Sequence, residues 1–464
     1  MNTEKNEMPN GQLLLRKVEL NITPTWPCTL AGHAARRHKK HDWILERIYA
    51  RAIILTSDSG TTAFVSMDLC EFEDSYVRRL RSAISKESGI SEDSILIACI
   101  HTHTAPAVIS LGDIPLETEY MDWLVEKTSK AMGEAMKNDP IPVKVYTATA
   151  RADFGINRRY KDPVTGEYSM KPNPEGSYDS SIPFVLFCDL NYKVQAIMYS
   201  CSVHPTTLGV TLFSISPDYP GSINMYLKQQ FGEDLLTVAV TGACGDVRPA
   251  LLDESGKSFR DGTQYDVDII GEMVCGAIMS KLDRLEEVPG SSSVIKTKYI
   301  PFEMEAPPSK DEIRKLIVLQ DERIIEAKKK AEKMTEFERS HEDPVWTLES
   351  EKKWLQWLLT LDKTDNVFMG QVALWTINDG IAVFCVPGEL FTDVGLKLES
   401  MWKGKNSMVA GYCNGSVGYM PSAAAVKEGG YETRDAFKHL SGHTGAFTEQ
   451  LEQSLVKTME EFIG

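Results

Sequence analysis

The sequence lacks any cysteine pattern that would build a disulfide framework or a zinc finger. Its nine cysteines are an odd number, no Cys-x-x-Cys pair occurs, and most of them lie inside apolar runs. Such cysteines behave as small buried hydrophobic residues in a reducing compartment. The N-terminal segment also lacks the apolar core of a signal peptide. We therefore expect a cytoplasmic protein.

Long hydrophobic runs and an excess of basic charge are also missing. No apolar run approaches the roughly 18 residues that span a bilayer. The sequence has 50 Lys and Arg residues and 66 Asp and Glu residues, so its net charge is −16. An acidic surface repels phosphate backbones and anionic lipids. We expect a small-molecule substrate, no nucleic-acid partner and no stable membrane association.

The segments that are present alternate between strand-like and helical patterns. Apolar runs typical of strands covered on both faces alternate with amphipathic stretches, which predicts an α/β fold of mixed β-sheets flanked by helices. The strand-like runs are 48–55, 61–69, 95–100, 143–150, 184–190, 194–200, 235–240, 371–377 and 381–386. Helical periodicity is clear over 117–137 and 445–462.

The 464 residues predict one large catalytic domain, 16–464, preceded by a polar tail at 1–15. Within it, residues 309–361 stand apart because nearly half are charged and none is glycine. Apolar residues spaced by threes and fours on either side of 341–344 predict an antiparallel helical hairpin inserted into the domain. This hairpin could be a solvated decoration, a lid over a site, or a contact in a homo-oligomer.

Histidines and a glutamate follow several of the predicted strands. His101 and His103 follow the run 95–100, His204 follows 194–200, and Glu389 follows 381–386. If the strand conformation continues past residue 100, the side chains of His101 and His103 point the same way. Ligands gather at the carboxyl ends of strands in open α/β sheets. Each residue alone also fits a structural role.

Histidine and carboxylate ligands together suit a zinc ion with an open coordination position. Zinc can lower the pKa of bound water to about 7 and so supply hydroxide at neutral pH. The sequence has no Gly-x-Ser-x-Gly elbow, no Walker A loop and no His-Glu-x-x-His motif. Hydrolysis by metal-activated water is therefore the simplest enzymatic hypothesis.

The order of short motifs resembles the neutral ceramidase family, specifically its N-terminal zinc amidase domain. The matching segments are ITP (22–24), AGH (31–33), YARAIIL (49–55), SMD (66–68), HTHTAP (101–106), INRRY (156–160), HPTTLG (204–209), SPDYPG (216–221), GACGDVRP (242–249) and PGELF (387–391). Tyr419 and Tyr431 are twelve residues apart, as are two functional tyrosines of the family.

The resemblance implies a specific set of site residues. The implied ligands of one zinc ion per chain are His101, His204, Glu389 and Tyr419. The implied catalytic residues are His103 as acid and base, with Arg158 and Tyr431 as donors to the substrate carbonyl. Zinc activates the water, His103 moves protons, and the two donors stabilise the developing oxyanion.

Arg248 marks a departure from the family. The family has Asp-Val-Ser-Pro where this chain has Arg248 between Val247 and Pro249, so a serine associated with catalysis is absent. Arg248 could bind a carboxylate or phosphate of the substrate in bidentate fashion, or it could pair with a nearby acidic residue. His33, which begins the basic segment 33–41, is the second candidate for substrate binding.

Because the sequence ends soon after the matching motifs, we expect the family's C-terminal β-sandwich domain to be missing, and ceramide is therefore not the favoured substrate. We predict a zinc-dependent hydrolase, a ceramidase-like amidase, that cleaves an amide bond in a small polar or anionic substrate. The same metal could instead serve hydrolysis of an ester, a lactone or a sugar derivative. A non-catalytic alternative, in which the hairpin 309–361 binds a partner, predicts a structural or empty metal site.

Overall fold

The computed structural model describes residues 11–33, 36–112, 114–335, 344–363 and 365–464. In chain order the strands are β1 (Leu13–Asn21), β2 (Trp43–Ile44), β3 (Tyr49–Ser57), β4 (Gly60–Met67), β5 (Ile95–Cys99), β6 (Ile141–Arg151), β7 (Gly155–Lys161), β8 (Tyr168–Asn173), β9 (Ser181–Asp189), β10 (Val194–Cys201), β11 (Ser214–Ile215), β12 (Leu236–Thr241), β13 (Val247–Pro249), β14 (Glu286–Val288), β15 (Ser293–Glu303), β16 (Val367–Ile377), β17 (Ile381–Cys385), β18 (Glu389–Leu390), β19 (Asn406–Ala410) and β20 (Tyr419–Met420).

The α-helices are α1 (Asp74–Ser88), α2 (Thr118–Ala135), α3 (Tyr219–Phe231), α4 (Gln264–Met279), α5 (Lys310–Ala331), α6 (Pro344–Thr360), α7 (Thr392–Met401), α8 (Ala423–Glu428), α9 (Tyr431–Arg434) and α10 (Gln450–Ile463). Short 3₁₀ helices occur at Glu92–Ser94, Leu282–Arg284 and Ala436–His439. None of the helices in the described ranges is long and apolar enough to cross a membrane.

Two mixed sheets packed face to face form the centre of the domain. Within the described ranges, the larger sheet has nine strands in the order β12-β10-β9-β6-β1-β3-β4-β5, with β14 paired to β6, and the smaller has the order β15-β16-β17-β19. The pairs β10–β12, β4–β5 and β17–β19 are parallel. Other pairs, such as β1–β3 and β15–β16, are antiparallel. The predicted fold class, mixed sheets with flanking helices in one domain, is confirmed.

Helices cover the outer face of each sheet, which gives four layers in the order α/β/β/α. Along β3, Ile53 and Leu55 pack between the sheets, whereas Ala52 and Ile54 face helices α1 to α4. Helices α7 and α10 cover the smaller sheet. The rings of Phe64 and Trp375 stack between the sheets with centroids 5.6 Å apart. Because both faces of each sheet are buried, the strands are recognisable in the sequence as continuous apolar runs.

The N-terminal boundary of the domain lies earlier than predicted. The polar tail predicted at 1–15 is wrong in its last residues, because β1 begins at Leu13. Leu13 and Leu15 are buried between the two sheets, and Leu14 pairs with Thr56 of β3. Apolar side chains at the end of the polar segment therefore start the strand. Residues 1–10 lie outside the described part of the chain.

Helices α5 and α6 occupy the charged segment and pack against each other. Ile313 near the start of α5 packs with Leu355 and Leu358 near the end of α6, whereas Gln320 donates a hydrogen bond to the carbonyl of Leu348 at 3.2 Å. From the first of these contacts to the second, the residue number rises in α5 and falls in α6, so the two helices run antiparallel. The turn predicted around 341–344 falls mainly outside the described residues. The role of the pair as lid, contact or decoration stays a prediction.

The larger sheet curls until β12 approaches β4 and β5. The hydroxyl of Thr241 donates to the carbonyl of Ile100 at 2.6 Å, and the hydroxyl of Ser66 donates to the carbonyl of Ala239 at 2.7 Å. Thr241 ends β12 and Ile100 directly follows β5, so the carboxyl ends of these strands meet. Strand β10 runs parallel to β12 and ends at the same edge. The residues that follow β5 and β10 are thereby brought together.

Candidate metal centre

Three buried side chains converge at this edge of the sheet. Nε2 of His204 lies 2.9 Å from Oε2 of Glu389, and Nε2 of His101 lies 3.5 Å from the same oxygen. His101 follows β5, His204 follows β10, and Glu389 begins β18. The potential ligand atoms of the three residues lie within 4.8 Å of one another. The structure thus brings together three residues that the sequence places far apart.

Backbone carbonyls determine which nitrogen of each imidazole faces the centre. Nδ1 of His204 lies 2.6 Å from the carbonyl oxygen of Cys244, and Nδ1 of His101 lies 3.2 Å from that of Cys70. If each Nδ1 donates its proton to a carbonyl, each neutral imidazole presents the Nε2 lone pair to Glu389. A cation between these lone pairs and the carboxylate oxygen would be favourably coordinated by all three. The set of two nitrogens and one oxygen therefore fits a zinc ion.

Burial and neighbouring charges set the protonation states of these ligands. Burial lowers the pKa of His204 to about 4, and the nearby charge of Arg158 acts in the same direction. Burial alone would raise the pKa of Glu389, but His101 and His204 hold it well below its ordinary value. Neutral imidazole and ionised carboxylate are the forms that bind a metal.

A second group of ligand-type side chains shares His101. Sγ of Cys70 lies 3.6 Å from Nδ1 of His101, and His103 completes this group. Burial raises the pKa of the Cys70 thiol well above its ordinary value, whereas the thiolate is the form that binds metals. Nδ1 of His101 also faces the Cys70 carbonyl. This second group therefore fits a metal less well than the first.

The backbone at His101 departs from the predicted conformation. His101 has a left-handed φ of 65°, so the strand conformation does not continue past residue 100, and the condition set for the two histidines in the sequence is not met. The rings of His101 and His103 nevertheless lie close, with centroids 4.8 Å apart. Gly32, with a φ of 85°, passes so near that a Cβ would lie 2.3 Å from Cγ of His103. A glycine at this position lets the loop contact the imidazole.

His103 lies beside the three converging residues. Its Nε2 is 3.1 Å from Nε2 of His101, and its Nδ1 is buried without a hydrogen-bond partner among the described residues. Burial lowers the pKa of His103 well below its ordinary value, and the charges of His33 and the neighbouring histidines act in the same direction. The ring is therefore a neutral imidazole with one nitrogen available.

The remaining predicted catalytic residues surround Tyr419. Strands β18 and β20 pair in parallel with Glu389 opposite Tyr419. Nη2 of Arg158 donates to the Tyr419 hydroxyl at 2.9 Å, and the ring of Tyr431 lies 6.2 Å from that of Tyr419. Tyr431 is the most open of them, with 39% of its surface exposed. Burial raises the pKa of both tyrosines, so both are neutral phenols.

Sequence analysis missed Glu432, which holds Arg158 in place. One oxygen of this buried carboxylate accepts from Nε of Arg158 at 3.1 Å, and the other accepts from Arg159 at 3.0 Å. The adjacent arginines and the position of Glu432 next to Tyr431 were the available signals. Tyr412, which contacts His101 and Glu389, was also missed, and no motif marks it.

The two predicted substrate-binding residues both lie near the centre. The ring of His33 lies 4.7 Å from that of His103. Arg248 in β13 follows Val247, whose carbonyl oxygen lies 2.9 Å from Nδ1 of His204. The Arg248 guanidinium lies over the ring of Phe259, at 4.3 Å, and its Nε has no hydrogen-bond partner among the described residues. The charge of Asp261 also acts on Arg248, and the role of Arg248 in substrate binding stays a prediction.

Two solved structures with similar architecture are ceramidases. The structure of neutral ceramidase from Pseudomonas aeruginosa matches 97% of this chain and 74% of its own, with a TM-score of 0.71 and 14% identity. A ceramidase complexed with C2 matches with a TM-score of 0.73 and the same identity and coverage. No sequence-family profile matches the chain, and no curated protein matches it in sequence. The chain thus has the neutral ceramidase fold that its order of motifs predicted.

Proposed function

We propose that the protein is a zinc-dependent hydrolase that cleaves an amide bond in a small polar or anionic molecule. The observation that carries the proposal is the convergence of Nε2 of His101 and His204 on one oxygen of Glu389, within 3.5 Å, in a chain with the neutral ceramidase fold. Tyr419, paired beside Glu389, is the proposed fourth ligand. A zinc ion held there would supply Lewis-acid activation of water and of the scissile carbonyl.

His103 is the proposed acid and base. Its neutral ring borders the converging ligands, and its buried Nδ1 has no partner among the described residues. The ring can accept a proton from the attacking water and return it to the leaving nitrogen. This route needs no serine nucleophile, which agrees with the presence of Arg248 where the resembled family has serine.

Arg158 and Tyr431 are the proposed donors to the carbonyl oxygen as negative charge develops on it. Arg158 is held by Glu432 and by the carbonyl of Gly245, at 3.1 and 2.8 Å. Its Nη1 makes no hydrogen bond among the described residues. A donor fixed in advance stabilises the transition state without having to reorganise. Tyr431 remains a phenol and can donate from the open side.

Elemental analysis of the purified protein by mass spectrometry tests the metal centre. We expect about one zinc per chain in the wild type and almost none in the double variant His101→Ala, His204→Ala, because two of the ligands are removed. The matched control is His439→Ala, His443→Ala, which removes two other buried histidines and should retain zinc. Zinc absent from the wild type, or retained by the ligand variant, contradicts the proposal.

Hydrolysis of matched amides and esters tests the reaction. N-acyl amino acids and the corresponding O-acyl hydroxy acids are incubated with the zinc-loaded protein, and release of the acyl group is measured. We expect turnover of amides that is lost in His101→Ala, His204→Ala and kept in His439→Ala, His443→Ala. Turnover of esters alone would favour the ester alternative, and zinc binding without any turnover would favour the non-catalytic one.

A further inference from the structure

Arg248 carries hydrogen-bond donors that the described part of the protein does not use. Its Nε is buried without a hydrogen-bond partner among the described residues. The ring of Phe259 lies 4.3 Å from the guanidinium carbon. This cation–π contact offsets part of the charge but accepts none of the in-plane N–H groups. Because an unpaired buried donor is unfavourable, the site favours an acceptor supplied from outside the protein.

A second buried arginine, Arg36, is acted on by the same carboxylate as Arg248. The buried guanidinium of Arg36 donates to backbone carbonyls, including those of His103 and Gly209. Asp261 is the carboxylate whose charge acts on both arginines, and its side chain packs against Gly209. The carboxylate of Asp261 thus stabilises the charges of two guanidinium groups, those of Arg36 and Arg248.

Arg248 also lies close to the metal centre. In the pairing of β13 with β7, Arg248 is opposite Ile156, two residues before Arg158. Burial and then the charge of Arg158 lower the pKa of Arg248 to about 10, which is consistent with the two guanidinium groups being neighbours. The preceding residue, Val247, contacts Nδ1 of His204 through its carbonyl. Arg248 is therefore the chain neighbour of a residue that contacts one of the converging ligands.

We infer that Arg248 binds an anionic group of the substrate, a carboxylate or a phosphate, through paired N–H donors of its guanidinium. The inference rests on the proposed function, because it takes the metal centre as the place where the substrate reacts. It narrows the substrate class from small polar or anionic amides to small anionic ones.

Isothermal titration of the purified protein with glutarate and with inorganic phosphate tests the subsite. Neutral glutaramide serves as the uncharged probe, and the zinc content of every sample is measured. The variants are Arg248→Met, which keeps an apolar contact with Phe259, and Arg248→Gln, which keeps a polar side chain. The matched control is Lys257→Met, which removes an exposed cation two residues before Phe259.

We expect at least one anion to bind the wild type, and the loss of charge-assisted hydrogen bonds should weaken this binding roughly 10- to 100-fold in both Arg248 variants. Lys257→Met should remain within about twofold of the wild type, because exposed charges are screened, and glutaramide should not bind. If glutarate binds more tightly, the anionic group of the substrate is a carboxylate, and if inorganic phosphate binds more tightly, it is a phosphate. Absence of anion binding to the wild type, or equal binding by the folded Arg248 variants, would overturn the inference.

The titration measures anion binding and does not depend on catalysis. Its result therefore tests this inference separately from the proposed function. An Arg248-dependent anion site in a protein that hydrolyses no amide would leave the binding assignment intact and reject the hydrolase. Turnover of neutral amides without Arg248-dependent anion binding would support the hydrolase and reject the anionic subsite. Circular dichroism of each variant establishes that it is folded before titration.

Discussion

The phenol ring of Tyr412 lies flat against the imidazole of His101, with ring centroids 3.9 Å apart and planes inclined by 14°. The hydroxyl of the same tyrosine lies 3.4 Å from Oε2 of Glu389. One side chain therefore contacts two of the proposed zinc ligands. Its backbone has a left-handed φ of 52°, and its amide and carbonyl are held by Gly388 and Cys99. The surrounding backbone thus fixes the position from which Tyr412 orients both ligands.

We expect Tyr412→Phe to weaken zinc binding by about tenfold, because groups that orient metal ligands contribute to metal affinity. Tyr412→Leu, which also removes the ring stack, should weaken it further. Competition with a chromophoric chelator measures the affinity. The matched control is Tyr199→Phe, which removes another buried tyrosine hydroxyl, one that donates to Asn224 at 2.9 Å away from the proposed ligands. Equal zinc affinity in Tyr412→Phe and the wild type would show that the hydroxyl contributes nothing.

The fold was predictable from the sequence because both sheets are buried on both faces. Strands such as β3 and β17 therefore contain continuous apolar runs, and the amphipathic helices α2 and α10 that cover them have clear periodicity. The start of β1 was not predictable in the same way. Its residues Leu13 to Leu15 follow a polar segment, and their burial depends on β3 and β6, which lie far along the chain.

The candidate site was predictable where a strand end carries a histidine or a carboxylate. His101, His204 and Glu389 all follow apolar runs within four residues, and the order of motifs supplied Tyr419. Residues that act through other side chains were not predictable. Tyr412 contacts His101 only because strands of two different sheets bring them together, and tertiary contacts of this kind leave no local pattern. The left-handed backbone of His101 was not predictable either, because no local sequence pattern indicates it.

Glu432 should contribute to stability much more than its neighbour Glu428. Both carboxylates bind Arg159, but only 3% of the Glu432 side chain is exposed, against 38% for Glu428. Removing one partner of a buried pair leaves an uncompensated charge, so we expect Glu432→Gln to lower the free energy of unfolding by about 2 kcal/mol or more. Glu428→Gln should lower it by less than about 1 kcal/mol.

Urea denaturation of both variants measures this difference. Since Arg158 loses its charged partner as well, amide hydrolysis should fall in Glu432→Gln while zinc content stays near one per chain. A Glu432→Gln protein as stable as Glu428→Gln would mean that the buried carboxylate is not needed to balance the two arginines.

His103→Ala should separate metal binding from proton transfer. If His103 acts as acid and base, zinc content should remain near that of the wild type while turnover falls by about 10²- to 10⁴-fold. His101→Ala, whose ring lies 4.8 Å away, should lose zinc and turnover together. Mass spectrometry and the amide assay give the two readouts. Loss of zinc from His103→Ala would instead make His103 a ligand, since its Nε2 is only 3.1 Å from that of His101.

Glu399 in α7 should make the protein less stable as the pH rises. Burial raises the pKa of this carboxyl to about 8, and the negative charge of Asp179 adds to the effect, while the N–H of Val409 opposes it. The folded state therefore binds this proton more tightly than the unfolded state, whose carboxyl has an ordinary pKa near 4.3. By linkage, this carboxyl lowers the free energy of unfolding between about pH 4.5 and 8, and its effect is constant outside that window.

We expect Glu399→Gln to remove this pH dependence, because glutamine does not titrate but can still accept from Val409. Allowing for partial solvent screening, the variant should gain about 2 kcal/mol relative to the wild type between pH 5 and pH 9. Urea denaturation at pH 5, 7 and 9 measures the gain. The control Glu322→Gln removes one exposed carboxylate and corrects for the change in net charge. A difference between wild type and Glu399→Gln that stays constant with pH would mean that Glu399 is already ionised at pH 5, so that burial does not hold its proton.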